Sequence, residues 1–226
     1  MNYFAHGRQF VDDPYFLAGT AVPDWLSVVD RKVRARRKNA ARFVDDADSR
    51  VAALARGIVQ HHHDDDWFHQ TRAFAELSLE FTVAIRDLLG TEAGFRPSFL
   101  GHILVEILLD AALIERQPER LDAYYAALQS LDARLVGEAV NRLATGSTPL
   151  LAELIPRFTA ERFLYDYADD ARLLWRLNHV MRRVKLAELP PSLIEFFPRA
   201  RRRVLQRQAE LLCGEPPWET PVRARS

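Results

Sequence analysis

Apolar residues recur at three- and four-residue spacing along most of the chain, and strand-like alternation is scarce. Pro23 and Asp24 place a proline and an acid where a helix begins. The stretch "DWLSVVDRKVRARRK" that follows carries an apolar stripe at Trp25, Val28, Val29 and Val33. "DSRVAALARGIVQHHH" predicts a second helix, capped by Asp48 or Ser49. "FHQTRAFAELSLEFTVAIRDLLG" predicts a third, with Phe74, Leu77, Phe81 and Ile85 on one side and Gly90 closing its C-terminal end.

"TEAGFRP" reads as a loop, and residues 98–115 as the most apolar helix, central and covered on most sides. "QPERLDAYYAALQSL" and "DARLVGEAVNRLAT" are amphipathic, and "GSTP" breaks the chain. "LLAELIPRF", "AERFLYDYADDARLLWRLNHVMRRV" and "SLIEFFPRARRRVLQRQAELLC" complete the set. The expectation is one all-α domain over residues 1–213, of about eight to ten helices, followed by a Pro-rich tail over 214–226.

Composition narrows the partners. The 226 residues suffice for one substantial core, and a formal charge of zero gives no general case for nucleic acid. Charge is uneven, however. Arg31, Lys32, Arg34, Arg36, Arg37 and Lys38 put six basic groups into eight positions, and the run from Arg199 to Arg207 holds five in nine. The single cysteine, Cys213, excludes an internal disulfide and a Cys-based zinc site, which suits a reducing cytoplasm. No signal peptide is expected, and His102, Glu106 and Asp110 interrupt the apolar run nearest to a membrane span.

The chemistry concentrates in "GIVQHHHDDDWFH", Gly57 to His69, which holds four of the seven histidines and three aspartates. Residues four apart share a helix face, so His61, Asp65 and His69 form one column, and His62 with Asp66 a neighbouring one. His102, Glu106 and Asp110 repeat the spacing in the apolar helix, where an imidazole and carboxylates are costly without partners or a metal. Two such columns face to face supply mixed N/O ligands for a divalent ion such as Mn, Fe or Zn. His63, Asp64 and Asp66 read as bystanders, and Asp110 as the partner of an internal arginine. No P-loop, dinucleotide fingerprint or serine elbow is present.

"MNYFAH" at the start, "GTAVPD" from Gly19 to Asp24, Gly57-Ile58 followed by His61 and Asp65, and a later acidic helix are similar to motifs of the acyl carrier protein phosphodiesterases. The match spans residues 1–110, with "FFPR" at Phe196–Arg199 as a further point of likeness. The resemblance implies an HD-like helical bundle, manganese, and hydrolysis of a phosphopantetheine ester on an acidic carrier protein. It implicates His6, Asp24, His61 and Asp65 as the metal set, with His102 and Glu106 where the family carries two aspartates. His62 and His63 stand where the family has arginines.

The sequence reading is therefore a metal-dependent phosphodiesterase or phosphohydrolase, with metal ligands His6, Asp24, His61, Asp65, His102 and Glu106. Asp65 or Glu106 would orient or deprotonate the attacking water, and His69 or His62 would protonate the leaving oxygen. The basic run Arg31–Lys38 would steer an acidic carrier protein to the site. Two other readings stay open: a carrier-binding helical module with a structural metal, and a zinc phospholipase-like hydrolase.

Overall fold

The computed structural model describes residues 1–90 and 94–214. It is all-α, with no strand among the described residues. Eleven α-helices run in the order α1 (Tyr3–Gly7), α2 (Pro14–Val29), α3 (Arg37–Ala40), α4 (Ser49–Phe68), α5 (Arg72–Leu89), α6 (Pro97–Arg116), α7 (Pro118–Gln129), α8 (Ala133–Leu143), α9 (Leu150–Glu161), α10 (Asp170–Arg183) and α11 (Phe197–Leu211). Short 3-10 turns at 41–43, 163–168 and 191–196 join them. Residues 91–93 of the expected loop at 91–97, and all of the Pro-rich tail after residue 214, lie outside the described residues.

Three boundaries differ from the sequence expectation, each for a local reason. The helix expected to start at Pro23 starts nine residues earlier, at Pro14. Asp13 caps it by accepting from the Phe16 N–H, Pro14 takes the first turn, and Pro23 lies inside. Asp24 is therefore a mid-helix residue and not a first-turn acid.

Nor does the basic run continue that helix: α2 ends at Val29, residues 30–36 form a loop, and only Arg37 and Lys38 enter a helix, the short α3. Val33 and Ala35 are buried beneath the loop, while Arg31, Lys32, Arg34, Arg36, Arg37 and Lys38 are exposed. The third difference is a break at His69–Thr71. There the Thr71 side chain accepts from the Phe74 N–H and starts α5 anew.

Helix α6 is the centre of the bundle, with twelve of its residues buried, from Leu100 to Ile114. It is long and apolar enough to cross a membrane by length and composition, yet 61% of that window is covered by the protein itself. Helix α5 packs along it, and α2 packs along α4.

The second pairing depends on two glycines. A Cβ on Gly19 would lie 2.3 Å from the Leu54 carbonyl oxygen, and one on Gly57 would lie 2.1 Å from that of Phe16. No side chain fits at either place, so the two backbones touch directly. That contact fixes the height and rotation of α4, which carries the His/Asp stretch.

Helix α1 is too short to be stable alone. Asp110, fully buried on α6, accepts hydrogen bonds from the Phe4 and Ala5 N–H groups at 2.9 and 2.7 Å. The expectation that Asp110 pairs with an arginine is corrected here: its partners are these backbone donors. Tyr3 adds edge-on ring contacts with Phe158 and Phe163.

Candidate metal centre

Three helices meet near the C-terminal end of α4. Helix α1 brings His6, α4 brings His61 and Asp65, the C-terminal cap of α4 is His69, and α6 brings His102 and Glu106. The donor atoms form two groups. In each of His6–His61–Asp65 and His69–His102–Glu106 the ligand atoms all lie within 4.8 Å of one another.

In the first group the His6 and His61 rings stack at 4.2 Å. His61 is buried, and its Nδ1 lies 2.8 Å from the Thr20 carbonyl oxygen, so Nδ1 carries the hydrogen and donates it. Burial and the neighbouring His6 push its pKa well below the ordinary histidine value, so the ring is neutral. Its Nε2 therefore presents a lone pair, 3.4 Å from Asp65 Oδ2. Two acceptors face each other with no proton between them, an arrangement that a cation resolves.

His6 is held from the opposite side. Its Nδ1 donates to Asp64 Oδ2 at 3.1 Å, and Gln60 secures Asp64 Oδ1 at 2.7 Å. The His6 Nε2 is buried, lies 3.3 Å from Asp65 Oδ1, and lacks a hydrogen bond of good alignment. Burial disfavours the charged His6 ring, but the carboxylates of Asp64 and Asp65 outweigh burial and raise its pKa to about 9.

In the second group His69 Nε2 and His102 Nε2 approach the same Glu106 oxygen, at 2.8 and 3.2 Å. Their rings lie 4.9 Å apart and pack against Phe74. His69 and His102 are partly open to solvent, whereas Glu106 is nearly covered.

The Met1 ammonium connects the groups, 2.6 Å from Asp65 Oδ1 and 3.4 Å from Glu106 Oε1. Burial opposes its charge, yet Glu106 and Asp65 raise it to about 10. Both carboxylates titrate well below their ordinary range despite burial, Asp65 through His6 and the ammonium, Glu106 through the ammonium, His102 and His69. Asp24 faces the same charges. Burial raises its carboxyl to about 7, with Asp65 and Glu106 adding to the effect and His6 and the ammonium opposing it.

The remaining expected residues lie elsewhere. His62 Nε2 bonds the Ala35 carbonyl at 2.7 Å, so it pins the basic loop and belongs to neither group. His63 and Asp66 are exposed, and Asp66 pairs with Arg37 at 3.2 Å. Asp64 is the residue that sequence reasoning missed: it is buried and orients His6.

A cavity of about 830 Å³ opens beside the site and reaches it at Met1, Asp24 and Glu106. Compared with protein-family models, curated proteins and solved structures, the chain matches none.

The donor set suits a divalent ion in two respects. The His61 lone pair faces the Asp65 carboxylate, and the buried His6 Nε2 points into the same space without an aligned partner, where an ion would displace the proton that the carboxylates otherwise hold on that ring. Mixed imidazole and carboxylate donors favour manganese, iron or zinc.

Proposed function

We propose that this protein is a metal-dependent phosphoester hydrolase. The observation that carries the reading is the apposition of the neutral His61 Nε2 and the Asp65 carboxylate, 3.4 Å apart with no proton to share. His6, His61 and Asp65 would hold a divalent cation, and His102 with Glu106 would extend the ligand set. Such an ion supplies Lewis-acid activation of water and of a phosphoryl oxygen.

The chain's own residues do the rest. The Thr20 carbonyl and Asp64 fix the two imidazoles by their Nδ1 hydrogens, which keeps both Nε2 atoms on the shared centre. His69, partly exposed and within hydrogen-bond reach of Glu106, can give a proton to the departing oxygen. Asp24, titrating near neutrality in the cavity wall, can hold or release a proton there. The resemblance to acyl carrier protein phosphodiesterases makes phosphopantetheine-type esters the first substrates to try.

The test is metal analysis of the purified chain, followed by a phosphoester panel with Mn, Fe or Zn added. Bound metal and metal-dependent hydrolysis are expected, both abolished in His61→Ala and Asp65→Ala. Full metal content and turnover in those variants would overturn the assignment.

A further inference from the structure

The cavity that meets the site at Glu106 has two kinds of wall. Its buried side is apolar, formed by Trp25, Ile107 and Phe158, with Phe99, Ile103 and Val28 continuing outward. Its solvent side carries Arg31 and Arg34 from the loop after α2, Arg157 from α9 and Arg183 from α10, all exposed. The loop and α10 meet where Arg31 donates to the Arg183 carbonyl at 3.1 Å.

These four guanidiniums differ from the other arginine clusters of the molecule. On α11, Arg203 and Arg207 are paired with Glu80 and Glu76 at 2.9 and 3.0 Å. Arg176, which also lines the cavity, is paired with Asp166 at 2.7 Å and Glu161 at 3.3 Å. Arg31, Arg34, Arg157 and Arg183 have no carboxylate partner among the described residues. Cationic side chains from three elements, unpaired and set around one opening, are complementary to an anion.

We infer that the substrate is a phosphoester whose other half is an apolar chain ending in a second anionic group. The phosphoester would sit at the Asp24–Glu106 end, the chain along Ile103, Ile107 and Phe158, and the distal anion among Arg31, Arg34, Arg157 and Arg183. The volume is that of a site for a ligand of this size, since small-molecule pockets run from about 300 to 1,000 Å³. A short phosphoester would leave the apolar wall wet and the arginines idle. This inference rests on the hydrolase reading, which it extends by naming the substrate class.

The test measures binding of three non-hydrolysable probes to the full chain by calorimetry: methylphosphonate, decylphosphonate and 10-phosphonodecanoate. Each buried methylene is worth about fourfold in affinity, so decylphosphonate is expected to bind at least about 100-fold more tightly than methylphosphonate. The terminal carboxylate is expected to add about fivefold or more, as exposed ion pairs acting together do. The double variant Arg157→Ala/Arg183→Ala should lose the carboxylate gain and keep the chain gain.

Equal binding of the three probes, or an unchanged order in the double variant, overturns the inference. Failure of the parent reading looks different. Metal-dependent cleavage of bis(p-nitrophenyl) phosphate without any chain preference would leave the hydrolase and remove this substrate class. The expected probe order with no cleavage of the matching phosphate esters would do the reverse.

Discussion

Asp64 holds His6 through Nδ1 at 3.1 Å, and the two residues are joined across 58 positions of sequence. The bond selects which nitrogen of His6 faces Asp65 and His61. Partners of this kind behind a metal-binding imidazole are worth about 10- to 100-fold in metal affinity. Asp64→Ala should therefore weaken metal binding by that order while the fold persists, and Asp64→Asn should restore part of the loss. Competitive titration against a fluorescent chelator gives the answer. An unchanged affinity in Asp64→Ala would show that Asp64 does not position His6.

The contact between Gly19 and Gly57 makes a second prediction. An added methyl at either position meets backbone, which cannot rotate away. Overpacking of this kind costs about 1–3 kcal/mol, occasionally more. Gly57→Ala should lower the denaturation midpoint and also the metal affinity, because α4 carries His61 and Asp65 and α2 supplies the Thr20 carbonyl. Urea denaturation and chelator competition on the same sample separate the two losses.

Removing the Asp110 carboxylate leaves the Phe4 and Ala5 N–H groups buried without acceptors. Each unmet donor costs about 1–3 kcal/mol. Asp110→Ala should thus lower the melting temperature clearly, and calorimetry with and without added metal would register it. A variant as stable as the parent would mean that these donors find other acceptors.

Asp48 gives a pH-dependent expectation. Its hydrogen bonds with the Arg50 side chain and backbone hold its carboxyl down to about 2. A depressed carboxyl stabilises the fold above its unfolded value, near 3.8, and the contribution fades as pH falls through about 2. The stability difference between the parent and Asp48→Ala should be constant above pH 5 and shrink between pH 4 and pH 2. Urea midpoints collected across that range test it, and a difference that grows on acidification would contradict the role of Asp48 as the N-terminal cap of α4, where its side chain accepts from the Arg50 N–H.

Much of this site is legible from helical spacing. His61 with Asp65, and His102 with Glu106, are read directly from four-residue repeats, because both lie inside uninterrupted helices. Asp64 was not, since six consecutive polar letters do not say which of them faces inward. The stripe Leu54, Gly57, His61, Asp64 and Phe68, all buried, holds that information once the apolar face of α4 is extended through the run.

The early part of α2 was hidden by Pro23, which looks like a start signal. The pair Asp13–Pro14 is the stronger one, because the Asp13 side chain also caps. Of the cavity's unpaired arginines, Arg31 and Arg34 belong to the basic run visible in the sequence, whereas nothing in local pattern brings Arg157 and Arg183 from two other segments to join them.

The dependence of α1 on Asp110 sets an order of events during synthesis. A five-residue helix at the front of the chain cannot hold itself, and its anchor lies 105 to 106 positions downstream. The α1 segment must therefore wait for α6 before His6 reaches its station. Until then α2 and α4 can pair, but the centre between them stays one imidazole short. Were a metal held there, its capture would be a late step, marking a chain whose first half has closed.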